Sequence, residues 1–343
     1  MKKILFVGDA GSIHLKKYTD YFLNNNYDVY LATFSQTNNT SVTNIYFLSN
    51  KTVKNNGKNY HYLLSIFKLG KIIKQISPDY INAHFSYSMG FIVYLALLIC
   101  KIKVNFSVVC HGSDVLDCPL KLCNLINKVV LKKADKIISV SNQITEKIVS
   151  FGISDNKIFT GQYGIDMTEK LFNGNRDIDI ISIRNYVPNS RIDELLEIVG
   201  DEKYKEKKIV FVLPGISDDS FNLIKEKYKA IIFFKYVEHN KLLQMLRRSK
   251  CYISATKSDG SSLSLLEAMG NGAIPIVSNI PSNREWIVDG INGKLFRNFK
   301  ELDEILANRS LNYDEIREIN YNLILNRGIY KKQMQKIEKF LCK

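Results

Sequence analysis

The chain has 343 residues, 45% of them apolar and 24% charged, with a formal net charge of +14. Its 18 glycines and 6 prolines are too few for long disorder or a fibrous repeat, and no solenoid period is visible. At roughly 100–200 residues per domain, the length predicts two domains, each burying its own core.

Lys3–Val7 reads as a buried strand, Ser12–Asn24 as a helix and Tyr27–Ala32 as a strand, a βαβ opening. The apolar run before Gly8 is four residues, short of the roughly 7–15 of a secretion signal. Helical patterns follow at Tyr62–Ile76 and Ser88–Cys100, with strands at Tyr80–Ala83, Asn105–Cys110 and Lys136–Val140 and a helix at Gln143–Phe151. Parallel strands need such crossovers, so the first half is predicted to be a doubly wound sheet. The longest apolar stretch, Phe91 to Cys100, is ten residues, against roughly 20 for a membrane span, so a cytoplasmic protein is expected.

A second α/β series is predicted after the polar segment Asn173–Asp177. Its strands are Asp179–Ile183, Lys208–Leu213, Ile231–Lys235, Cys251–Ala255 and Ile274–Val277. Its helices are Arg191–Val199, Phe221–Lys229, Asn240–Lys250 and Ser262–Gly270. Beyond Leu302 the pattern is helical, with no further strand. The expected domains are 1–172 and 173–327, with a terminal helix of about 328–343 returning to the first. Two such sheets, facing each other, are expected to share a crevice at the carboxyl ends of their strands.

Residues 1–170 carry 20 Lys, no Arg and 11 acids, so most of the positive charge lies in the first half. Lysines punctuate apolar faces in Lys68–Lys74 and Lys128–Lys133, which suits either an anionic membrane surface or a solvated face. No nucleic-acid module is readable, and nucleic acid is not an expected partner. The cysteines, Cys100, Cys110, Cys118, Cys123, Cys251 and Cys342, form no CxxC pair and are expected to be reduced thiols.

Chemistry-bearing residues fall at strand ends. Gly8-Asp9-Ala10-Gly11-Ser12 joins the first strand to the first helix, as a cradle for phosphate or hydroxyl groups or as a tight turn with a Ser cap. His111-Gly112-Ser113-Asp114 follows the strand ending at Cys110, where a neutral imidazole can bond a substrate hydroxyl or serve the fold; His84 is similarly placed. Residues 254–277 read as strand, glycine loop, helix, turn and strand. Asp259 stands on the loop, backbone amides run from Gly260 through Ser261 and Ser262 to Leu263, and Glu267 lies eight residues beyond Asp259. Two carboxylates so placed can hold a hydroxyl-rich ligand, although an Asp cap and a solvated Glu account for the same residue types.

At this segment the sequence resembles glycosyltransferase family 4. The resemblance rests on Asp259 and Glu267, then Ala268-Met269, Gly272 and Pro275, with a trailing Asn283 to Gly293. It extends to His111-Gly112-Ser113-Asp114, Ala134 to Ser141 and Tyr163-Gly164-Ile165-Asp166 in the family's order. It implies the GT-B fold and transfer of a hexose-type sugar, with retention, from a nucleotide diphosphate sugar to an acceptor hydroxyl. It further implies that Glu267 holds the donor ribose, that Asp259 and the Gly260–Leu263 amides hold the sugar and diphosphate, and that Arg184 binds phosphate. His111 would meet the sugar, Gly11 would face donor and acceptor, Val237 would meet the base, and Glu285 would lie near the donor.

Three departures stand out: Asp259 is the shorter acid, Asn189 replaces a phosphate-binding Lys with Arg191 nearby, and Ser282-Asn283 replaces Gly-Gly. No cofactor is expected and no metal, since the one Asp-x-Asp, Asp177-Ile178-Asp179, sits at a strand entrance. With the basic first half, the acceptor is expected to be a glycan or lipid-linked intermediate of surface polysaccharide or lipopolysaccharide. A non-catalytic subunit, a sugar-nucleotide epimerase and a phosphorylase are alternatives on the same fold. A Rossmann oxidoreductase is disfavoured by the lack of GxGxxG.

Overall fold

The computed structural model describes residues 1–35, 40–49, 61–116, 121–167, 171–308 and 313–342, and the side chains of 61–63 and 121 fall outside that description. The chain forms two compact units, Met1–Tyr163 with Gln333–Lys343, and Gly164–Lys332. The sequence pattern had placed the division at 172/173.

The first unit is built on strands β1 (Lys3–Val7), β2 (Asp28–Thr33), β3 (Asn44–Phe47), β4 (Tyr80–His84), β5 (Asn105–Cys110), β6 (Lys136–Ser139) and β7 (Ile158–Thr160). All pair in parallel in the order β3-β2-β1-β4-β5-β6-β7. Helices cover the sheet, so central strands read as apolar runs such as Ile4–Val7 and Val108–Cys110. The helix Ile13–Asn24 buries Leu15, Tyr18, Thr19, Tyr21 and Phe22, a single face at helical spacing. Strand order reverses between β1 and β4, the point where ligands meet the carboxyl edge of open sheets.

The expected helix from Ser88 is different in form: a π-helical turn, Ser86–Gly90, precedes the α-helix Phe91–Ile99. The Gly90 amide reaches back five residues to the Phe85 carbonyl at 2.9 Å, and the Ser86 amide that opens the turn donates to Asp114 Oδ2 at 2.8 Å. Near the chain's far end, Glu338 on the helix Tyr330–Leu341 accepts from the Tyr21 and Tyr27 hydroxyls at 2.7 and 2.9 Å.

The second unit carries β8 (Ile178–Ile183), β9 (Ile209–Val212), β10 (Ile232–Phe234), β11 (Ser249–Ser254), β12 (Ile274–Ser278) and β13 (Lys294–Phe296), parallel in the order β10-β9-β8-β11-β12-β13. Its reversal lies between β8 and β11. One face of the sheet packs Leu195, Leu196, Phe211 and Ile253, and the other packs Tyr252, Leu265, Met269 and Trp286.

The Gly272 turn is required twice over. Its φ is +80°, and a Cβ there would stand 2.5 Å from the Arg176 guanidinium. Arg176 is itself buried and donates to the carbonyls of Arg247, Ser249, Asn271 and Phe172.

Three strands, β3, β7 and β13, were not expected from the sequence; each is three or four residues long. Cys100, Cys110, Cys123, Cys251 and Cys342 are free thiols, while Cys118 lies outside the described residues. Among the described residues no helix is long and apolar enough to cross a membrane.

Candidate active site

In the second unit, the loops after β8 and β11 bring Arg184, Asp259 and Ser262 together at the strand-order reversal. Arg184 donates through Nη1 to Ser262 Oγ at 2.9 Å and through Nη2 to Asp259 Oδ2 at 2.8 Å. Only 15% of the arginine and 20% of the aspartate side chain is exposed. Burial opposes the charge on Arg184, but the Asp259 carboxylate more than offsets it, and the guanidinium pKa is raised.

Ser262 is the N-cap of the helix Leu263–Gly270, its Oγ accepting from the Leu265 amide at 3.3 Å. Its hydroxyl also meets Ser264 Oγ at 3.2 Å, which in turn meets the Tyr252 hydroxyl at 3.0 Å. The first-turn amides of any helix lack intrahelical acceptors and carry partial positive charge. A guanidinium beside such a turn, with Gly260 and Leu263 flanking it, supplies the kind of donors and positive charge that an anion can use.

Asn189, which stands where a lysine was expected, has a different task. Its Nδ2 donates to the Ser258 carbonyl at 2.7 Å, its Oδ1 accepts from the Ser258 amide at 3.1 Å, and its own carbonyl accepts from Lys257 at 3.0 Å. It therefore braces the loop that carries Asp259. Arg191, in a left-handed conformation (φ 53°), pairs with Glu194 at 3.0 Å and lies 4.3 Å from the Phe299 ring centroid. The structure commits it to those two partners and not to the Arg184 cluster.

One helix face further on, Glu267 Oε1 meets His239 Nε2 at 2.8 Å, with 15% of the glutamate side chain exposed. His239 opens the helix His239–Arg247, and as a lone histidine it carries no spacing signal in the sequence. Val237 sits just before that helix, after β10, and packs partly buried against the core. Ser261 lies on the loop, half-buried.

After β12, the short helix Pro281–Arg284 holds Ser282 and Asn283 buried, with Asn283 Nδ2 donating to the Ser278 carbonyl at 2.8 Å. Glu285 follows, close enough to Arg327 to favour that residue's charge against its burial. Asp177 and Asp179 lie at the other end of β8. Asp177 pairs with Lys208 and Arg248, and Asp179 with Lys250 at 2.7 Å, so both carboxylates are already matched by cations. Among the described residues no three His, Cys, Asp or Glu side chains group as metal ligands.

In the first unit, Asp114 organises the turn after β5. Fully buried, it accepts from the His111 and Gly112 amides at 3.0 Å each on Oδ1 and from Ser86 on Oδ2. Burial pushes its pKa up while these three donors hold it down. Gly112, at φ 116°, makes the bend. His111 is thereby fixed with its Nε2 3.0 Å from Nδ1 of His84. The His14 ring lies 5.1 Å from that of His111 and meets the Tyr163 hydroxyl at 3.1 Å.

Burial pushes the His84 pKa down to about 3, and burial with His84 and His14 nearby holds His111 well below the ordinary range. Both rings are neutral at physiological pH. In the loop after β1, the Gly11 amide donates to Asp9 Oδ1 at 2.9 Å. Ser12 occupies the N-cap position without a side-chain cap bond.

Comparisons with known proteins follow this division. Residues 3–141 match the family model described as glycosyl transferase 4-like, and residues 166–318 match glycosyl transferases group 1. Over 253 residues the chain is 24% identical to an uncharacterized glycosyltransferase of Methanocaldococcus jannaschii, covering 68% of this chain and 66%, just under two thirds, of that relative's length. The structure is similar to that of sucrose-phosphate synthase from Thermosynechococcus elongatus, with TM-score 0.81, 11% identity and 99% and 98% of the two chains covered. It is also similar to Anabaena HepE in complex with UDP and glucose, with TM-score 0.78, 12% identity and both chains covered in full.

Proposed function

The chain belongs to the glycosyltransferases, 4-like in its first unit and group 1 in its second, on the GT-B fold; from that premise we propose that it moves a sugar from a nucleoside diphosphate sugar to an acceptor hydroxyl with retention at the anomeric carbon. The observation that carries the reading is the Arg184, Asp259 and Ser262 cluster at the N-terminus of Leu263–Gly270, a cation and a helix end on one corner. Arg184 and the first-turn amides stabilise the negative charge that grows on the diphosphate as the sugar's C1–O bond breaks, a role that needs no metal. Glu267 accepts hydrogen bonds from the ribose hydroxyls, Val237 backs the base, and Asp259 and His111 meet hydroxyls of the transferred sugar.

The acceptor we propose is a glycan or lipid-linked intermediate of a surface polysaccharide or lipopolysaccharide, met at an anionic membrane. Supporting this, large apolar side chains stand exposed on three helices of the basic first unit: Leu64 and Phe67, Leu98 and Ile99, Leu122 and Leu125. Lys68, Lys71 and Lys74 continue the stripe begun by Leu64 and Phe67, and Lys128 and Lys132 continue that of Leu122 and Leu125.

The test is a thermal-shift panel of UDP, GDP, ADP and CMP and their sugar conjugates, followed by product analysis with the sugar that binds. A rise in melting temperature with one diphosphate, and a glycosidic product of retained configuration, are expected. Inverted product overturns the stereochemistry, and binding without turnover assigns the chain to non-catalytic members of the fold.

A further inference from the structure

We propose that His84 is a positioning residue that sets the tautomer of His111, so that His111 presents its Nδ1–H to the sugar as a hydrogen-bond donor. The inference deepens, and rests on, the reading of His111 as a sugar contact.

His84 closes β4 and is 1% exposed. Its ring stands edge-on to Tyr18, 4.8 Å away at 89°, with Phe6 behind at 6.3 Å. The His84 and His111 rings are only 28° from parallel with centroids 5.1 Å apart, while Nδ1 and Nε2 are 3.0 Å apart. They therefore meet edge to edge, with the hydrogen bond near both ring planes, where it is strongest. The spacing is set by backbone on both sides. β4 and β5 pair His84 with Val109, two residues before His111, and Asp114 pins the His111 amide.

Two neutral rings share one proton in this bond. If His111 donated, His84 would have to carry its remaining proton on Nε2. That atom is buried and has no partner among the described residues. If His84 donates, the same atom is a bare lone pair. An orphaned buried N–H is the rarer and costlier state, because a bare acceptor forfeits less than a donor left without any partner. Nδ1–H of His84 is thus the donor, Nε2 of His111 the acceptor, and the single proton of His111 resides on Nδ1. Burial keeps either ring from taking a second proton in the physiological range, so the arrangement does not dissolve into a shared charge. The rings facing the pair are His14, Tyr18, Phe6 and Phe85, while the Asp114 carboxylate beside His111 accepts from the backbone amides of His111, Gly112 and Ser86.

A donor at Nδ1 can serve a sugar oxygen whose own proton is committed elsewhere, or an oxygen that has none. The opposite tautomer could serve neither.

The chain has five histidines, so protein labelled with ¹⁵N-histidine gives a resolvable two-bond ¹H–¹⁵N spectrum. The wild type is expected to show His111 protonated at Nδ1 and bare at Nε2. His84→Asn, whose amide nitrogen replaces Nδ1, is expected to keep that pattern and near-normal transfer. His84→Leu is expected to release His111 into a mixture of tautomers and to lower kcat roughly 10–100-fold, the range for groups that orient another residue, with nucleotide affinity unchanged. A proton on Nε2 of His111 in the wild type overturns the proposal. So does an unmoved His111 signal in His84→Leu, or an equal loss of kcat in both variants. Should His84→Leu fail to fold, the wild-type and His84→Asn spectra decide the matter. The spectra need no turnover, so an inactive wild type would refute the proposed function while the position of the His111 proton is still read directly.

Discussion

Arg184→Ala removes the cation from the proposed diphosphate corner and leaves Asp259, 20% exposed, without its partner. Truncating one member of a fully buried pair costs about 3–5 kcal/mol, and the remaining exposure here reduces that to about 1–3 kcal/mol. For a unit of this size each kcal/mol lowers Tm by about 2–4 °C, so calorimetry should show the second unit melting roughly 2–12 °C earlier. Hydrogen bonds to charged groups contribute about 1.5–3 kcal/mol, which weakens nucleoside diphosphate binding by about 10–150-fold.

Asp259→Asn separates this from general damage, because it removes a negative charge that competes with the diphosphate for the same guanidinium. It should bind the free diphosphate at least as tightly as the wild type while losing sugar transfer. Titration calorimetry with the diphosphate chosen by thermal shift reads both affinities. Unchanged affinity in folded Arg184→Ala, or equal loss of affinity in the two variants, would refute the assignment of Arg184 to phosphate.

Glu267→Ala should lower donor affinity by roughly tenfold or more and abolish the preference for ribose over 2′-deoxyribose diphosphates; a preference that survives the mutation would remove the ribose from Glu267. Asp114→Asn faces three amide donors with a group that can accept on one side only, and should lower the first unit's Tm by several degrees, at about 2–4 °C per kcal/mol. An unmoved Tm would show that the turn holds without the carboxylate. Because the folded His84 pKa lies near 3, below the usual 6.5, the unfolded chain takes up a proton that the folded chain refuses. Stability from this residue is full above pH 6.5 and falls by about 1.4 kcal/mol per pH unit as pH drops towards 3, and His84→Asn should flatten the slope. Identical acid profiles would contradict the burial argument. Sedimentation with vesicles should show binding that needs anionic lipid, weakens with salt and drops in Phe67→Ser with Leu125→Ser; equal binding to neutral vesicles would count against the membrane reading.

Periodicity and apolar runs were enough to find the long and central elements, because β1, β5 and the helix Ile13–Asn24 bury faces that the sequence writes out locally. The strands β3, β7 and β13 were not legible. All three stand at sheet edges, and β3 and β7 bury no residue fully, so they are held by pairing to a neighbour rather than by a pattern of their own. The π-helical turn at Ser86 is capped by a carboxylate 28 residues away, a contact that no local pattern announces.

The same division runs through the site. Asp259 and His111 were visible as polar residues past apolar runs, while Arg184 was marked only by the family resemblance. Their partners were not: Asn189 bracing Ser258 at a separation of 69 residues, and His239 meeting Glu267 across 28. Such pairs are properties of the folded sheet edge and leave no periodic trace in the chain.

The two units are unlike in how they are written along the polypeptide. Gly164–Lys332 is continuous, whereas Met1–Tyr163 is joined by Gln333–Lys343, whose Glu338 is clasped by Tyr21 and Tyr27. On the ribosome, the amino-terminal sheet therefore emerges long before the helix that seals it. At about 5–20 residues per second, the intervening unit delays that helix by roughly 10–35 s. During this interval the first unit exists without its last contact, while the second can complete itself as it appears. The order of synthesis thus makes the unit made first the one finished last, with the Tyr21 and Tyr27 hydroxyls waiting for Glu338 until the second unit has been made.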